Sequence, residues 1–178
     1  EAWETDLGGS VTAPIVADGK VFVAKTDDQA IVALDANSGK VLWMFSAAGR
    51  IDSPPTWHDG LVLFGSCDGY VYATDSSSGE LAWKFLAAPR EKFTVVRDQV
   101  ESVWPVTGSV LVRDGVAYVT AGRSTYLDGG IRLYALDPAT GRILHRGLLE
   151  GPHRKVDGIR DLAFFILGAN TDVLVSEG

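Results

Sequence analysis

The same eleven-residue pattern occurs three times in this chain of 178 residues. Each copy reads Ala-x-Asp-x-x-Ser/Thr-Gly-x-x-x followed by Trp or His, and the copies occupy residues 33–43, 73–83 and 135–145. The first two copies begin about 40 residues apart, and apolar, strand-like runs flank each of them. A repeat of this length is typical of a stack of similar β-sheets. We therefore expect an all-β protein in which the repeated residues are scaffold.

Each repeat contains two turn signals that divide it into short strands. Asp-Gly pairs at residues 18–19, 59–60 and 114–115 separate apolar runs and favour tight hairpins. In the second turn, the aspartate should accept hydrogen bonds from main-chain N–H groups, and the glycine should supply a left-handed conformation. Four short strands in about 40 residues correspond to one blade of a β-propeller. The residues expected to build the second turn are Asp35, Gly39, Asp75, Gly79, Asp137 and Gly141.

An aromatic position follows each second turn. Trp43 and Trp83 lie four residues after their glycines, Trp3 matches the same position of a preceding repeat, and His145 replaces tryptophan in the third copy. A buried indole offers a large apolar face and one N–H donor. We expect each tryptophan to lie between neighbouring blades and to donate to a main-chain carbonyl there. His145 has less apolar area, so the joint it makes should be weaker or altered.

The repeats predict an incomplete ring of four-stranded antiparallel blades. Propellers usually close with about four to eight blades, and a shorter arc leaves apolar faces and strand edges uncovered. The arc should therefore be completed by the remaining blades of a longer parent protein or by a second copy of the chain. The expected divisions are an outer strand of a preceding blade (1–11), blade 1 (12–52), blade 2 (53–85), an inserted loop (86–105), blade 3 (106–147) and the start of blade 4 (148–178).

Composition excludes several classes of function. The net charge is -7 and no basic run occurs, which disfavours nucleic acid as a partner. The longest apolar stretches are too short to span a bilayer. Cys67 is the only cysteine, so no intrachain disulfide is possible, and a small buried residue is its expected role. The histidines His58, His145 and His153 lack the close spacing of zinc ligands, so no metal site is predicted. No Gly-x-Ser-x-Gly, phosphate-loop or His-Glu-x-x-His motif occurs, so no catalytic residue is predicted.

The two segments that lengthen the third repeat carry the candidate ligand-facing residues. They span residues 86–105 and 120–130, and insertions in repeat proteins gather on one face, often the binding face. One interpretation is a polar pocket near the propeller mouth, with Arg123 for an anion and Trp104 for stacking. The other, which is favoured, is that Arg123 and Asp128 pair or cap the loop while Trp104 packs it down. The candidates are Arg90, Arg97, Trp104, Arg123, Tyr126 and Asp128.

The repeated pattern resembles that of the PQQ-like β-propellers, a superfamily named after the redox cofactor pyrroloquinoline quinone. The resemblance covers about residues 1–146 and is specific for the fold rather than for an activity. The superfamily includes quinoprotein alcohol dehydrogenases and an outer-membrane assembly lipoprotein. The two insertions resemble those of bacterial multi-domain PQQ-like propellers, often secreted or periplasmic, which implies a parent protein of that kind.

Three functions are compatible with the resemblance. The first is a non-catalytic binding or assembly scaffold with no cofactor of its own, whose ligand is a protein or a small molecule. The alternative is a fragment of a quinone- and calcium-dependent dehydrogenase that oxidises alcohols or sugars. A single cysteine cannot form the adjacent-cysteine disulfide that many such dehydrogenases carry, and their calcium ligands map onto no residue here. A third is a sensor or accessory domain fused to an enzyme.

Overall fold

The computed structural model describes residues 3–96, 98–151 and 174–176. The regular structure in these ranges consists of strands alone, which confirms the expected all-β class. Arg97, His153 and most of the expected fourth blade lie outside the described residues. The strands are β1 Ile15–Ala17, β2 Lys20–Lys25, β3 Ala30–Asp35, β4 Val41–Ser46, β5 Thr56–His58, β6 Leu61–Gly65, β7 Tyr70–Asp75, β8 Leu81–Leu86, β9 Phe93–Val96, β10 Gln99–Ser102, β11 Leu111–Arg113, β12 Val116–Ala121, β13 Ile131–Leu136 and β14 Ile143–Leu149.

Three four-stranded sheets form an open series of propeller blades, as the repeats predict. Each sheet is an antiparallel meander in chain order: β1-β2-β3-β4, then β5-β6-β7-β8, then β11-β12-β13-β14. In every sheet the middle strands are mostly buried and the last strand is largely exposed. The chain from 3 to 10 forms no strand. No helix in the described part of the chain is long and apolar enough to cross a membrane.

In each blade, three residues that lie side by side on the second, third and fourth strands form a row across the sheet. The rows of the first two blades pack against the following blade. Ala33 lies opposite both Phe22 and Trp43 in the first sheet. The equivalent rows are Leu63, Ala73 and Trp83 in the second sheet and Tyr118, Ala135 and His145 in the third. The first row packs in one cluster with residues of β6 and β7, and the second packs in one cluster with residues of β12 and β13. These rows are therefore the inter-blade core.

The third row has no full sheet against it in the described part of the chain. Phe22 and Leu63 are completely buried, whereas Tyr118 at the equivalent position is 40% exposed. A groove of about 630 Å³ opens beside Tyr118 and His145, and residues 174–176 line its other side. This difference in burial has a simple cause. The rows of Phe22 and Leu63 are each covered by the sheet of the next blade, whereas no complete described sheet covers the row of Tyr118.

Aspartate and glycine build the tight turns that follow the first and third strands of each blade. Asp18 and Gly19 both have positive φ, 49° and 67°, as a primed hairpin turn requires. In the second turn, Asp75 Oδ1 accepts hydrogen bonds from the N–H groups of Ser77 (2.9 Å) and Ser78 (2.8 Å). These main-chain hydrogen bonds lower the pKa of Asp75 below its ordinary value of 3.8, and the one from Ser78 has the largest effect.

This pKa shift predicts a contribution of Asp75 to acid stability. A carboxyl group with a lowered pKa in the folded state stabilises the protein above its unfolded pKa, and the stability is lost as pH falls through the lowered value. Below about pH 4 the urea midpoint of the wild type should therefore fall more steeply than that of Asp75→Asn. The effect should be small because the group is exposed. Parallel pH curves for the two proteins would contradict this assignment, and Ser78→Ala, which removes only the side-chain donor, should give an intermediate curve.

Candidate functional site

The connections of the blades alternate between two ends, which places both insertions on one face. In an antiparallel meander, the turns after the first and third strands lie at one end, and the connections after the second and fourth strands lie at the other. Residues 47–55, 66–69, 87–110 and 122–130 therefore share an end, here called the insertion face. The tight turns with Asp-Gly and Asp-x-x-Ser/Thr-Gly lie at the opposite end.

A β-hairpin occupies the longer insertion, where the sequence predicts a loop. Strands β9 and β10 pair with Val96 opposite Gln99 and with Val95 opposite Val100. Asp98 in the turn has a φ of 61°, a left-handed conformation that aspartate tolerates better than most residues. The hairpin pairs with no other sheet in the described residues. It therefore stands on the insertion face as a separate two-stranded element.

One buried carboxylate fastens this hairpin to its surroundings. Glu101 on β10 is 1% exposed, and its Oε1 lies 2.8 Å from Nη1 of Arg50. Its Oε2 accepts a hydrogen bond from Nη2 of Arg123 at 2.6 Å. Arg50 belongs to the connection between blades 1 and 2, and Arg123 to the connection between β12 and β13. A single side chain thus joins the hairpin to two other connections of the insertion face.

Arg50 is held in place by a second carboxylate. Its Nε and Nη2 donate to the two oxygens of Asp52 at 2.6 and 2.9 Å, a bidentate pair. These hydrogen bonds raise the pKa of Arg50 above its ordinary value. The Cys67 thiol donates to Asp52 Oδ2 at 3.4 Å, and burial, followed by the nearby carboxylates, raises the pKa of that thiol. Cys67 is completely buried.

Trp104 is the packed centre of the insertion face. It is 5% exposed, and its Nε1 donates to the main-chain oxygen of Asp128 at 2.7 Å. Three cations lie 5.8–5.9 Å from the ring centroid, a distance at which the π-system attracts them. They are Arg90, Lys92 and Arg132. The ring is therefore covered by the protein itself, and no free stacking platform remains at this residue.

The other candidate residues are placed as follows. Arg123 pairs with Glu101, while Asp128 Oδ1 lies 4.0 Å from Lys92 Nζ. The structure thus brings Arg123 and Asp128 to the same face without pairing them. Tyr126 is exposed within the turn of residues 124–127, and Arg90 is exposed at the start of the hairpin insertion.

A groove separates β9 from the shorter insertion. It has a volume of about 440 Å³, and Phe93, Val96 and Val103 supply its apolar lining. Lys92, Arg123 and Asp128 supply its charges. Among the described residues, no group of three His, Cys, Asp or Glu side chains is arranged to hold a metal ion. The groove offers charged and apolar surface for recognition. The buried carboxylate of Glu101 is already paired with Arg50 and Arg123.

Three tryptophans lie at the blade joints, at the end of the blades opposite the insertion face, and each holds one blade to the next. The indole N–H groups of Trp3, Trp43 and Trp83 donate to the main-chain oxygens of Ala36, Ser76 and Pro138, each in the second turn of the next blade, at 2.9, 3.1 and 3.0 Å. Each ring also covers the glycine of that turn, namely Gly39, Gly79 and Gly141. His145 occupies the equivalent position of β14, opposite Ala135.

Sequence reasoning missed the two residues that organise the insertion face, Glu101 and Arg50. In β10 the carboxylate is buried and Val100 is exposed, which inverts the usual pattern of apolar-in and polar-out. The available signal was the density of charges in residues 90–101, but no spacing rule assigns a buried partner across 51 residues, from Arg50 to Glu101.

Comparison with known proteins identifies relatives of this fold. A family profile described as outer membrane protein assembly factor BamB matches residues 1–177. No curated protein matches significantly. A europium-containing methanol dehydrogenase superposes with a TM-score of 0.67 at 19% identity, over 85% of this chain and 27% of that one. BamB from Moraxella catarrhalis gives a TM-score of 0.57 at 23% identity, over 78% and 40%.

A quinohemoprotein alcohol dehydrogenase from Comamonas testosteroni gives a TM-score of 0.62 at 20% identity, over 79% of this chain and 21% of that one. The chain spans well under half the length of each of these three solved proteins. At such identities the superpositions establish the propeller fold.

Proposed function

This chain belongs to the outer membrane protein assembly factor BamB family, and we propose that it acts there as a non-catalytic binding and assembly scaffold. The observation that carries the proposal is the hairpin β9–β10. Phe93, Val95 and Val100 are 52%, 70% and 61% exposed. Residues two apart on a strand, and residues directly opposite on its partner, share one face. The three side chains therefore form one apolar surface, here called the hairpin patch.

The hairpin patch lies on the side of the hairpin opposite to Glu101. On the reverse face of the same two strands, Glu101 is buried between two arginines, so the hairpin has one fastened side and one free side. Apolar surface rimmed by polar residues is typical of protein interaction sites. A fastened hairpin also binds at a smaller entropic cost than a mobile loop, because less freedom is lost on association.

The polar candidates of the insertion face support the same proposal. Trp104 is covered by cations and Arg123 is bound to Glu101, so both serve to fasten the face. A scaffold needs a fixed outer surface, whereas a cofactor site needs unpaired groups directed into a cavity. The compartment we propose is periplasmic or secreted, in keeping with the name of the family. The partner that completes the ring is the remainder of a larger propeller, which would cover Tyr118 and His145.

A positive test removes the hairpin patch. The triple substitution Phe93→Ser, Val95→Ser, Val100→Ser in the full-length protein should lower the amount of folded outer-membrane proteins in the source bacterium by several-fold. The matched control is Val41→Ser, Met44→Ser, Leu81→Ser, which removes three exposed apolar side chains from outer blade strands. Heat-modifiable electrophoresis of the outer membrane reports the folded fraction. Equal effects of the two triples would contradict the proposal.

A second test addresses the alternative of a quinoprotein dehydrogenase. Pyrroloquinoline quinone with calcium is added to the full-length protein, and the bound chromophore and dye-linked oxidation of alcohols and sugars are measured. The scaffold proposal predicts neither signal. Stoichiometric binding of the quinone together with substrate-dependent dye reduction would replace the proposed function with the enzymatic one.

A further inference from the structure

We infer that the groove of about 630 Å³ beside Tyr118 and His145, here called the joint groove, receives a large apolar side chain from the blade that follows blade 3. That side chain takes the place over Gly147 that blades 1 and 2 fill with a phenylalanine of their own. The inference rests on the proposed function, in which the remainder of a larger propeller completes the ring. It specifies the shape of the joint at which that remainder begins.

One position of the fourth strand carries an aromatic ring in two blades and none in the third. The position lies two residues after the tryptophan or histidine of its strand and opposite an aliphatic residue of the third strand. Its side chain points to the same face of the sheet as the cross-strand row, because residues two apart on a strand share a face. The residues at this position are Phe45, Phe85 and Gly147.

The two phenylalanines reach across their joints to the next blade. The ring centroid of Phe45 lies 5.8 Å from that of Tyr72 on β7. The ring centroid of Phe85 lies 5.0 Å from that of Tyr134 on β13. Aromatic pairs at these separations attract one another. Tyr72 and Tyr134 are themselves equivalent, since each directly precedes the alanine of its row. At Gly147, blade 3 supplies no ring for this contact.

The backbone does not require glycine at this position. Gly147 lacks the positive φ of Gly79 and Gly141. Among the described residues, a Cβ atom at Gly147 would meet only the side chain of Leu133, at 3.6 and 3.7 Å, which is ordinary van der Waals contact. The glycine therefore leaves room rather than relieving strain. Interfaces between blades pack like protein cores, so this room is filled from the opposite side of the joint.

Residues 174–176 indicate which partner lies on that side. They line the joint groove, and Nη1 of Arg113 donates a hydrogen bond to Oγ of Ser176. Residues 174–178 read Leu-Val-Ser-Glu-Gly, and residues 111–115, the first strand and tight turn of blade 3, read Leu-Val-Arg-Asp-Gly. Arg113 and Ser176 are thus equivalent positions of successive repeats. The first strands of successive blades also touch at the earlier joints, β1 with β5 and β5 with β11. The occupant is therefore the blade that these residues begin.

Cysteine labelling tests whether a sheet covers this face. Gly147→Cys and Leu148→Cys place thiols on neighbouring residues of β14, whose side chains point to opposite faces. In the full-length protein, a maleimide should label Gly147→Cys at least about tenfold more slowly than Leu148→Cys, because a covered thiol is not accessible. The wild type, whose Cys67 is completely buried, gives the background rate. Equal labelling of the two variants would overturn the inference.

A substitution to phenylalanine tests whether the place over Gly147 is already filled. Gly147→Phe restores the residue of blades 1 and 2, and it should lower the urea midpoint of the full-length protein more than Leu148→Phe does, because a second ring overpacks the joint. Gly147→Leu should give a smaller shift in the same direction, and it serves if the phenylalanine variant is not recovered folded. An unchanged or raised midpoint for the Gly147 variants would show that the place is empty and would overturn the inference.

Light scattering of the full-length protein separates the following blade from a second copy of the chain. Protection of Gly147→Cys in a monomer supports the inference, whereas protection that disappears as a dimer dissociates on dilution would assign the face to a second copy and overturn it. Failure of the scaffold function has a different signature. If Gly147→Cys is unprotected while the hairpin-patch triple still lowers the folded outer-membrane fraction, the scaffold function stands and the joint inference falls.

Discussion

Glu101→Ala should lower the free energy of unfolding by about 3 kcal/mol, the largest effect expected for a residue of the insertion face. The substitution leaves Arg50 buried with only Asp52 as a counter-charge, and it leaves Arg123 with only its 3.4 Å hydrogen bond to the main-chain oxygen of Ser102 in the hairpin. Breaking a buried ion pair on one side is costly because the remaining charge has lost its water as well as its partner. Urea unfolding of the full-length protein measures the loss.

The same variant should also free the hairpin. Amide hydrogen exchange of residues 93–102 is expected to accelerate far more than exchange of the β6 and β7 amides, which lie in the inter-blade core. Glu101→Gln keeps an acceptor and the shape of the side chain, so it should retain part of the protection. If alanine leaves hairpin exchange unchanged, the carboxylate does not fasten the hairpin and its burial has another reason.

Gly79→Ala should destabilise the joint between blades 1 and 2 by about 3 kcal/mol, from strained backbone and overpacking together. Gly79 has a φ of +76°, and a Cβ atom there would lie 2.7 Å from ring carbons of Trp43. The ring cannot withdraw without losing the hydrogen bond from its Nε1 to Ser76. Chemical denaturation of the full-length protein measures the change.

Gly60→Ala is the matched control for this prediction. Gly60 has a φ of +80°, close to that of Gly79, but a Cβ atom there would meet no atom within 4 Å. Its alanine variant should therefore lose only the backbone part, about 1 kcal/mol. The difference between the two variants isolates the contact between ring and turn. Equal losses would show that the tryptophan adds nothing to the requirement for glycine.

The two ends of the propeller are thus fastened by different means. At the end with the tight turns, each joint repeats one apolar contact and one hydrogen bond, which are local to two neighbouring blades. On the insertion face, Glu101 joins three segments through two arginines, beside further hydrogen bonds such as that from Trp104 Nε1 to the oxygen of Asp128.

Much of the fold follows from patterns that lie close together in the chain. The Asp-Gly pairs, the Asp-x-x-Ser/Thr-Gly turns and the alternation of short apolar runs act over a few residues, so they predict the hairpins, the four-stranded sheets and the propeller class. The spacing of Trp43 from Gly39 is likewise visible in a single repeat. The row-by-row equivalence of Phe22, Leu63 and Tyr118 depends on the same spacing.

The insertion face depends instead on contacts between distant residues. No local pattern indicates that Arg50 meets Glu101, that Arg123 prefers Glu101 to Asp128, or that Trp104 is enclosed by cations. Even the hairpin inverts the ordinary rule, with valines exposed and a glutamate buried, because only the packed surroundings supply the two arginines that make that burial affordable. Short-range turn chemistry thus decided the scaffold, and long-range electrostatics, which exist only once the blades have assembled, decided what the scaffold presents.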